Sequence, residues 1–281
     1  MPTMQDLYTT TTLKCSKLIT QHYSTSFSLG IKTLHKKYHF PVYAIYGFVR
    51  YADEIVDTFH EHDKRALLAR FREDTYRAIE EGISLNPVLH SFQLVVNQYH
   101  IEQELIEAFL HSMEMDLDKN DYTQQEYEKY IYGSAEVVGL MCLRVFCEGD
   151  EARYQALKAP AKSLGSAFQK INFLRDIQSD YQERGRVYFP SVDFEEFTPE
   201  VKAAIEADIQ KDFEHGYEGI LQLPKEARLG VYLAYVYYIQ LFKKIKRLSA
   251  TKILNERVRV PDNRKMMLLV SSYVRNKFSY L

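Results

Sequence analysis

A chain of 281 residues accommodates one large domain or two small ones, and either buries a sizeable core. Its 36 Lys+Arg against 38 Asp+Glu leave a net charge of −2, which excludes the basic signature of a nucleic-acid binder. Gly 11 and Pro 8 are too few turn-formers for a many-stranded β fold.

Apolar residues recur at helical spacing along most of the chain, and the pattern predicts about ten helices. The first covers residues 5–23. Phe40-Pro41 opens a second that carries Val42, Ile45, Val49, Ile55 and Val56, and Asp63 caps a third that reaches Glu81. Asn86-Pro87 starts a fourth after the break at Gly82. Further helices follow over 101–118, 123–147, 151–181, 198–221, 224–248 and 262–278, two of them opened by Thr198-Pro199 and Leu223-Pro224. Residues 184–197 form one long irregular segment. With no repeat, low-complexity stretch or composition shift, one all-α domain over residues 1–281 is the simplest reading.

Three features limit location and redox chemistry. Cys15, Cys142 and Cys147 are odd in number and lack C-x-x-C spacing, which suits reduced, buried thiols. The N-terminal stretch has no apolar h-region, so a cytoplasmic location is expected. The longest apolar run, 229–242, falls short of the ~18 residues of a membrane span. It is followed by Lys243-Lys244-Ile245-Lys246-Arg247, which reads as a buried helix with a solvated basic end, or alternatively as a peripheral contact with the inner membrane face.

Two segments carry the chemistry. Asp53 and Asp57, and Asp176 and Asp180, stand four residues apart on otherwise apolar helices, so each pair projects from one face. Tyr46, Arg50, Asp53 and Asp57 extend the first stripe; Gln169, Asn172, Asp176 and Asp180 form the second. Like charges held together repel, and burial worsens this unless a cation is present. Oxygen donors with no His or Cys nearby favour Mg²⁺, with Mn²⁺ as a substitute, and Mg²⁺ bridges carboxylates to phosphates. Arg50 and Arg175 add guanidinium forks that match phosphate oxygens. The competing reading of each pair is a solvated helix face. His35 and His39, also four apart, read as a solvated loop ending at Pro41.

These segments resemble the squalene/phytoene synthase family, the head-to-head prenyl diphosphate synthases. The resemblance rests on YADEIVD (51–57), NFLRDIQSD (172–180) with its sequel RGRVYFP (184–190), YSTSFSLG (23–30), YGSAEVVGLM (132–141) and RVRVP (257–261). It covers about 15–264, departing from the common ADDIVD spelling at Glu54. It implies an all-α, single-domain isoprenoid-synthase bundle with a central cavity. Carried over by position, Asp53, Asp57, Asn172, Asp176 and Asp180 become metal ligands. Ser24, Ser26, Tyr46, Arg50, Gln169, Arg175 and Tyr188 become substrate or diphosphate contacts, Tyr238 and Arg257 join them through a small insertion, and Phe27 and Tyr132 line the cavity. Catalysis falls to the four aspartates, Arg50 and Tyr188.

The implied reaction joins two geranylgeranyl diphosphates to phytoene, as in the bacterial phytoene-forming branch. Squalene or dehydrosqualene formation from farnesyl diphosphate is the alternative, and NADPH enters only if squalene is the product. A non-catalytic helical scaffold is the alternative from another class. Ala135 and Gly139, with Ala161 and Gly165 on the neighbouring helix, admit two readings: room for a prenyl tail, or close helix packing.

Overall fold

The structure is a computed structural model that describes residues 3–118, 121–190 and 197–255, without the side chains of Ser26, Glu183 and Arg184. Twelve α-helices occupy the described residues: α1 (Met4–Tyr23), α2 (Thr25–Thr33), α3 (Lys36–Asp57), α4 (Lys64–Glu81), α5 (Pro87–Tyr99), α6 (Gln103–Asp118), α7 (Gln124–Ile131), α8 (Val137–Cys147), α9 (Glu151–Arg184), α10 (Pro199–Gln222), α11 (Lys225–Lys246) and α12 (Ala250–Asn255). A π-helical segment, Tyr132–Glu136, joins α7 to α8 without a break. An isolated parallel bridge pairs Asp121 with Val187. The expected all-α class holds; the predicted helix over 262–278 lies outside the described residues.

Several helix starts follow their local chemistry. Asp63 accepts from the Ala66 amide at 2.9 Å, Asn86 from the Val88 amide, and Thr198 from the Val201 amide with Pro199 in the first turn. Each such cap stabilises its helix by about 1 kcal/mol. Two starts differ from expectation. The α3 helix begins at Lys36, capped by His35, and Pro41 sits inside it, because the chain before Pro41 already satisfies its own amides. His39 thus lies on α3, where its ring meets the Leu34 carbonyl at 2.9 Å, while His35 stays exposed in the short connection between α2 and α3. Pro224 precedes α11 rather than opening it.

The core has two centres. In the first, Phe48 of α3 stacks on Phe92 of α5 with centroids 3.9 Å apart and touches Phe71 and Phe109. Truncating such a ring costs about 3–5 kcal/mol. The second gathers α7, α9, α10, α11 and α12 around Phe173, Tyr188, Phe213 and Phe242. Tyr154 and Leu157 of the 34-residue α9 reach the first centre, and the rest of its apolar face serves the second. The joined helix Gln124–Cys147 is long and apolar enough to cross a membrane, but 56% of its most apolar stretch is buried in the bundle, as expected of a core helix. Leu241, Phe242 and Ile245 of α11 are buried in the second centre and leave its basic end to solvent.

α3 and α9 share no extended contact. Their polar stripes therefore communicate through side chains and the turn after α9 rather than through helix packing.

Candidate active site

The first stripe projects from the C-terminal half of α3. Arg50 pairs with Glu54 one turn on, lies 3.9 Å from Asp53, and rests over the Tyr23 ring at 4.5 Å. Its Nε is buried without a hydrogen-bond partner. One turn earlier, Tyr46 stacks on Phe27 of α2, with centroids 4.9 Å apart. Ser24 begins α2 by accepting from the Phe27 amide at 3.2 Å. Burial pushes the Tyr46 phenol above its ordinary range, and Arg50 and a hydrogen bond with Ser24 oppose the shift.

The second stripe runs along α9. Asn172 donates to Gln169 at 3.5 Å and accepts from the Tyr238 hydroxyl of α11 at 3.3 Å. The Tyr238 ring stacks on Phe168 with centroids 4.0 Å apart, and burial raises its phenol. Arg175 Nε straddles the Asp176 carboxylate at 3.0 and 3.1 Å. Asp180 is buried at the end of the stripe.

The turn after α9 brings the two stripes together. Gly185 adopts φ +63°, the left-handed conformation that a side chain resists, and Arg186 N donates back to Asp180 O at 2.9 Å. That reversal sends the Arg186 guanidinium across the bundle. Its Nη1 lies 3.6 Å from Asp57 Oδ1 and 3.3 Å from the Tyr188 hydroxyl, and its Nη2 donates to Asp116 O at 2.6 Å. A shallow recess beside it is lined by Phe173, Ile177, Asp180, Arg186, Val187, Tyr188 and Phe189.

Asp116 of α6 is the residue that sequence reading missed. Its carboxylate accepts from Tyr130 at 2.7 Å and from Tyr122 and Tyr188 at 3.3 Å each, with Arg186 Nη1 at 3.6 Å. Burial pushes it up to about 6, with Arg186 and the Tyr130 hydrogen bond pulling down and nearby Asp57 adding to the rise. The available signal was an acid on the stripe of Phe109 and Met113, a face otherwise apolar. Tyr188 also stacks on Phe173, with centroids 4.2 Å apart.

Other expected site residues stand differently. Tyr132 lies in the π-helical segment, half-buried under Lys162 at 5.0 Å. A side chain at Gly165 would meet the Ala135 carbonyl at 2.9 Å, and one at Gly139 the Ala161 carbonyl at 3.3 Å. These contacts bring α9 close to the π-helical segment and α8, while Ala135, Gly139, Ala161 and Gly165 each stay partly accessible, so both readings of the small residues stand. The Ser26 side chain and Arg257 lie outside the described residues.

The donors along both stripes are carboxylates and an amide, a set that suits Mg²⁺. Among the described residues no three acidic, histidine or cysteine side chains converge into a ready cage. That fits an ion which takes one or two carboxylates and completes its shell from phosphate oxygens and water.

The profile of the squalene/phytoene synthase family matches residues 20–264. The chain is 28% identical to the phytoene synthase of Arthrospira platensis, over 92% of this chain and 91% of that one. It is 27% identical to the 4,4'-diapophytoene synthase of Staphylococcus haemolyticus, over 69% of this chain and 67% of that one. Its fold superposes on a dehydrosqualene synthase solved with a ligand at a TM-score of 0.80, with 25% identity and 96% and 98% of the two chains covered.

Proposed function

The chain belongs to the squalene/phytoene synthase family, and on that premise we propose that it condenses two geranylgeranyl diphosphates head to head to phytoene, as a single catalytic domain. The observation that carries the reading is the pair of acidic stripes on α3 and α9, with Arg186 leaving the end of the second to face Asp57 of the first, in a chain similar over nearly its full length to a phytoene synthase.

In this reading Asp53, Asp57, Asn172, Asp176 and Asp180 hold Mg²⁺, which when bound neutralises diphosphate and the crowded carboxylates. Arg50 and Arg175, each beside an acidic stripe, orient the diphosphates through their forks. With the leaving diphosphate held, the first allylic cation alkylates the double bond of the second molecule, and proton loss closes a cyclopropyl diphosphate. That intermediate ionises in turn, rearranges and loses a second proton. The stacked pairs Phe27–Tyr46, Phe168–Tyr238 and Phe173–Tyr188 flank the stripes and keep water from the cations. A cytoplasmic location belongs to the same proposal.

A second reading, condensation of farnesyl diphosphate, is favoured by the likeness to a dehydrosqualene synthase. Incubating the protein with Mg²⁺ and C15 or C20 diphosphate, with and without NADPH, and identifying the hydrocarbon separates the two. A C40 product from the C20 substrate supports the proposal. A C30 product supports the second reading, with squalene formed only when NADPH is present. Folded protein that condenses neither substrate overturns both and leaves the scaffold alternative, which the four retained aspartates disfavour.

A further inference from the structure

One buried carboxylate lies outside both acidic stripes and still touches the group that links them. Asp116 is 8% exposed, and three phenols turn toward it: Tyr130 on Oδ2, and Tyr122 and Tyr188 on Oδ1. Arg186 is secured on the same side by Asp116 O at 2.6 Å, by the Tyr188 hydroxyl at 3.3 Å, and by its own amide on Asp180 O at 2.9 Å. The guanidinium Nη1 is left equidistant, at 3.6 Å, from Asp57 Oδ1 and Asp116 Oδ1. Both separations exceed hydrogen-bond range and remain well inside the reach of charge attraction.

We infer that Asp116 is a positioning residue: it tethers Arg186 at a fixed distance from Asp57, so that the first stripe keeps a counter-cation without surrendering its oxygens to it. The inference rests on the metal–diphosphate reading above. Two carboxylates share one guanidinium, and weakening one partner hands the cation to the other. The phenols hold the Asp116 carboxylate in place, and Gly185 sets where Arg186 leaves α9. Neutralising the Asp116 carboxylate leaves the anchor on Asp116 O in place but shifts the charge attraction of Nη1 toward Asp57, where it competes with a divalent ion.

The test uses the full chain, with Mn²⁺ titrated in the presence of inorganic diphosphate and free ion read by electron paramagnetic resonance. Asp116→Asn is expected to weaken Mn²⁺ binding about fivefold to tenfold, the range for neighbouring charges that share a partner. The Mg²⁺ concentration for half-maximal turnover should rise in parallel, with kcat at saturating Mg²⁺ nearly retained. In an Arg186→Gln background the same substitution should change nothing. Unmoved Mn²⁺ binding in folded Asp116→Asn, or equal losses with and without Arg186, overturns the tether and leaves a structural carboxylate.

Should Asp116→Asn fail to fold, Arg186→Gln alone decides: removing the cation beside Asp57 should tighten Mn²⁺ binding about fivefold, and unchanged or weaker binding overturns the inference. Wild-type protein with neither diphosphate-dependent Mn²⁺ binding nor condensation removes the functional reading and the tether with it. Wild-type binding with an unmoved Asp116→Asn constant removes the tether alone.

Discussion

The two acidic stripes look alike in the sequence and are supported in different ways. On α3, Arg50 finds Asp53 and Glu54 within its own helix, and the side chains of Arg50 and Asp53 stay about one-third exposed, at 27% and 32%. On α9, support also arrives from afar: Tyr238 from α11 on Asn172, with Arg186 and Tyr188 folding back beside Asp180 toward Asp116 of α6. Half-exposed pairs within one helix contribute little to stability, whereas buried groups that lose a partner cost several times more. The α3 stripe at Arg50 and Asp53 can therefore be altered with little cost to the fold, and the more deeply buried α9 stripe cannot.

The largest effect expected is common to both helices. Chelation by EDTA should abolish turnover, Mg²⁺ should restore it, and Zn²⁺ should do so poorly, because the donors are oxygen. Full turnover in metal-stripped protein would make the comparison irrelevant to chemistry. Next, Asp53→Asn and Asp176→Asn should each lower kcat by about 10²- to 10³-fold, the scale for removing one stabilising group from a reacting charge. They should part company in thermal unfolding. Asp53→Asn should leave the melting temperature nearly unchanged, while Asp176→Asn should lower stability by about 1–3 kcal/mol, because the Arg175 fork loses its charged partner. Equal melting temperatures would erase the distinction between the helices.

A smaller effect sharpens the α9 side. Gly165→Ala forces a methyl against the Ala135 carbonyl and should cost about 1–3 kcal/mol, lowering C15 and C20 turnover together. Selective loss of the longer substrate would favour the tail-pocket reading.

The smallest effect concerns pH. The Asp116 carboxyl titrates near 6 in the folded protein, against 3.8 ordinarily, so folding favours its protonated form. Its stabilising contribution is full below about 4 and is lost as pH rises through 6. Between pH 5 and 7 the wild type should lose about 1 kcal/mol more stability than Asp116→Asn, measured by urea unfolding at each pH. An identical pH dependence would place that carboxyl in an ordinary environment.

The same contrast explains what could be read in advance. Periodicity, caps at Asp63, Asn86 and Thr198, and the two stripes are short-range features, and each survives in the structure. The sequence predicts no helix over α2, since nine residues that include Gly30 carry too little periodic signal to declare one. The start of α3 was misplaced because Pro41 is a strong first-turn signal, and His35 as a cap is an unusual one. Asp116 escaped because its meaning comes from three tyrosines and an arginine, all but Tyr122 distant in the chain. Ala135, Gly139 and Gly165 were legible as small, but spacing alone does not say whether a small residue faces a ligand or a neighbouring backbone.

The π-helical turn Tyr132–Glu136 sits at the border between the two apolar centres. Tyr127, Tyr130 and Ile131 before it belong to the second centre, while Val137, Leu140 and Met141 after it belong to the first. The Val137 amide reaches back five residues to the Tyr132 carbonyl, so this stretch holds one residue more than an α-helical turn would. Each residue in a helix adds about 100° of rotation and 1.5 Å of rise. Deleting a single residue here would remove that surplus and regularise the backbone hydrogen bonds, while α7 and α8 keep their faces on their own centres. A one-residue deletion within α8 itself has no surplus to remove, and it would swing every side chain beyond it about a quarter-turn away from its partners.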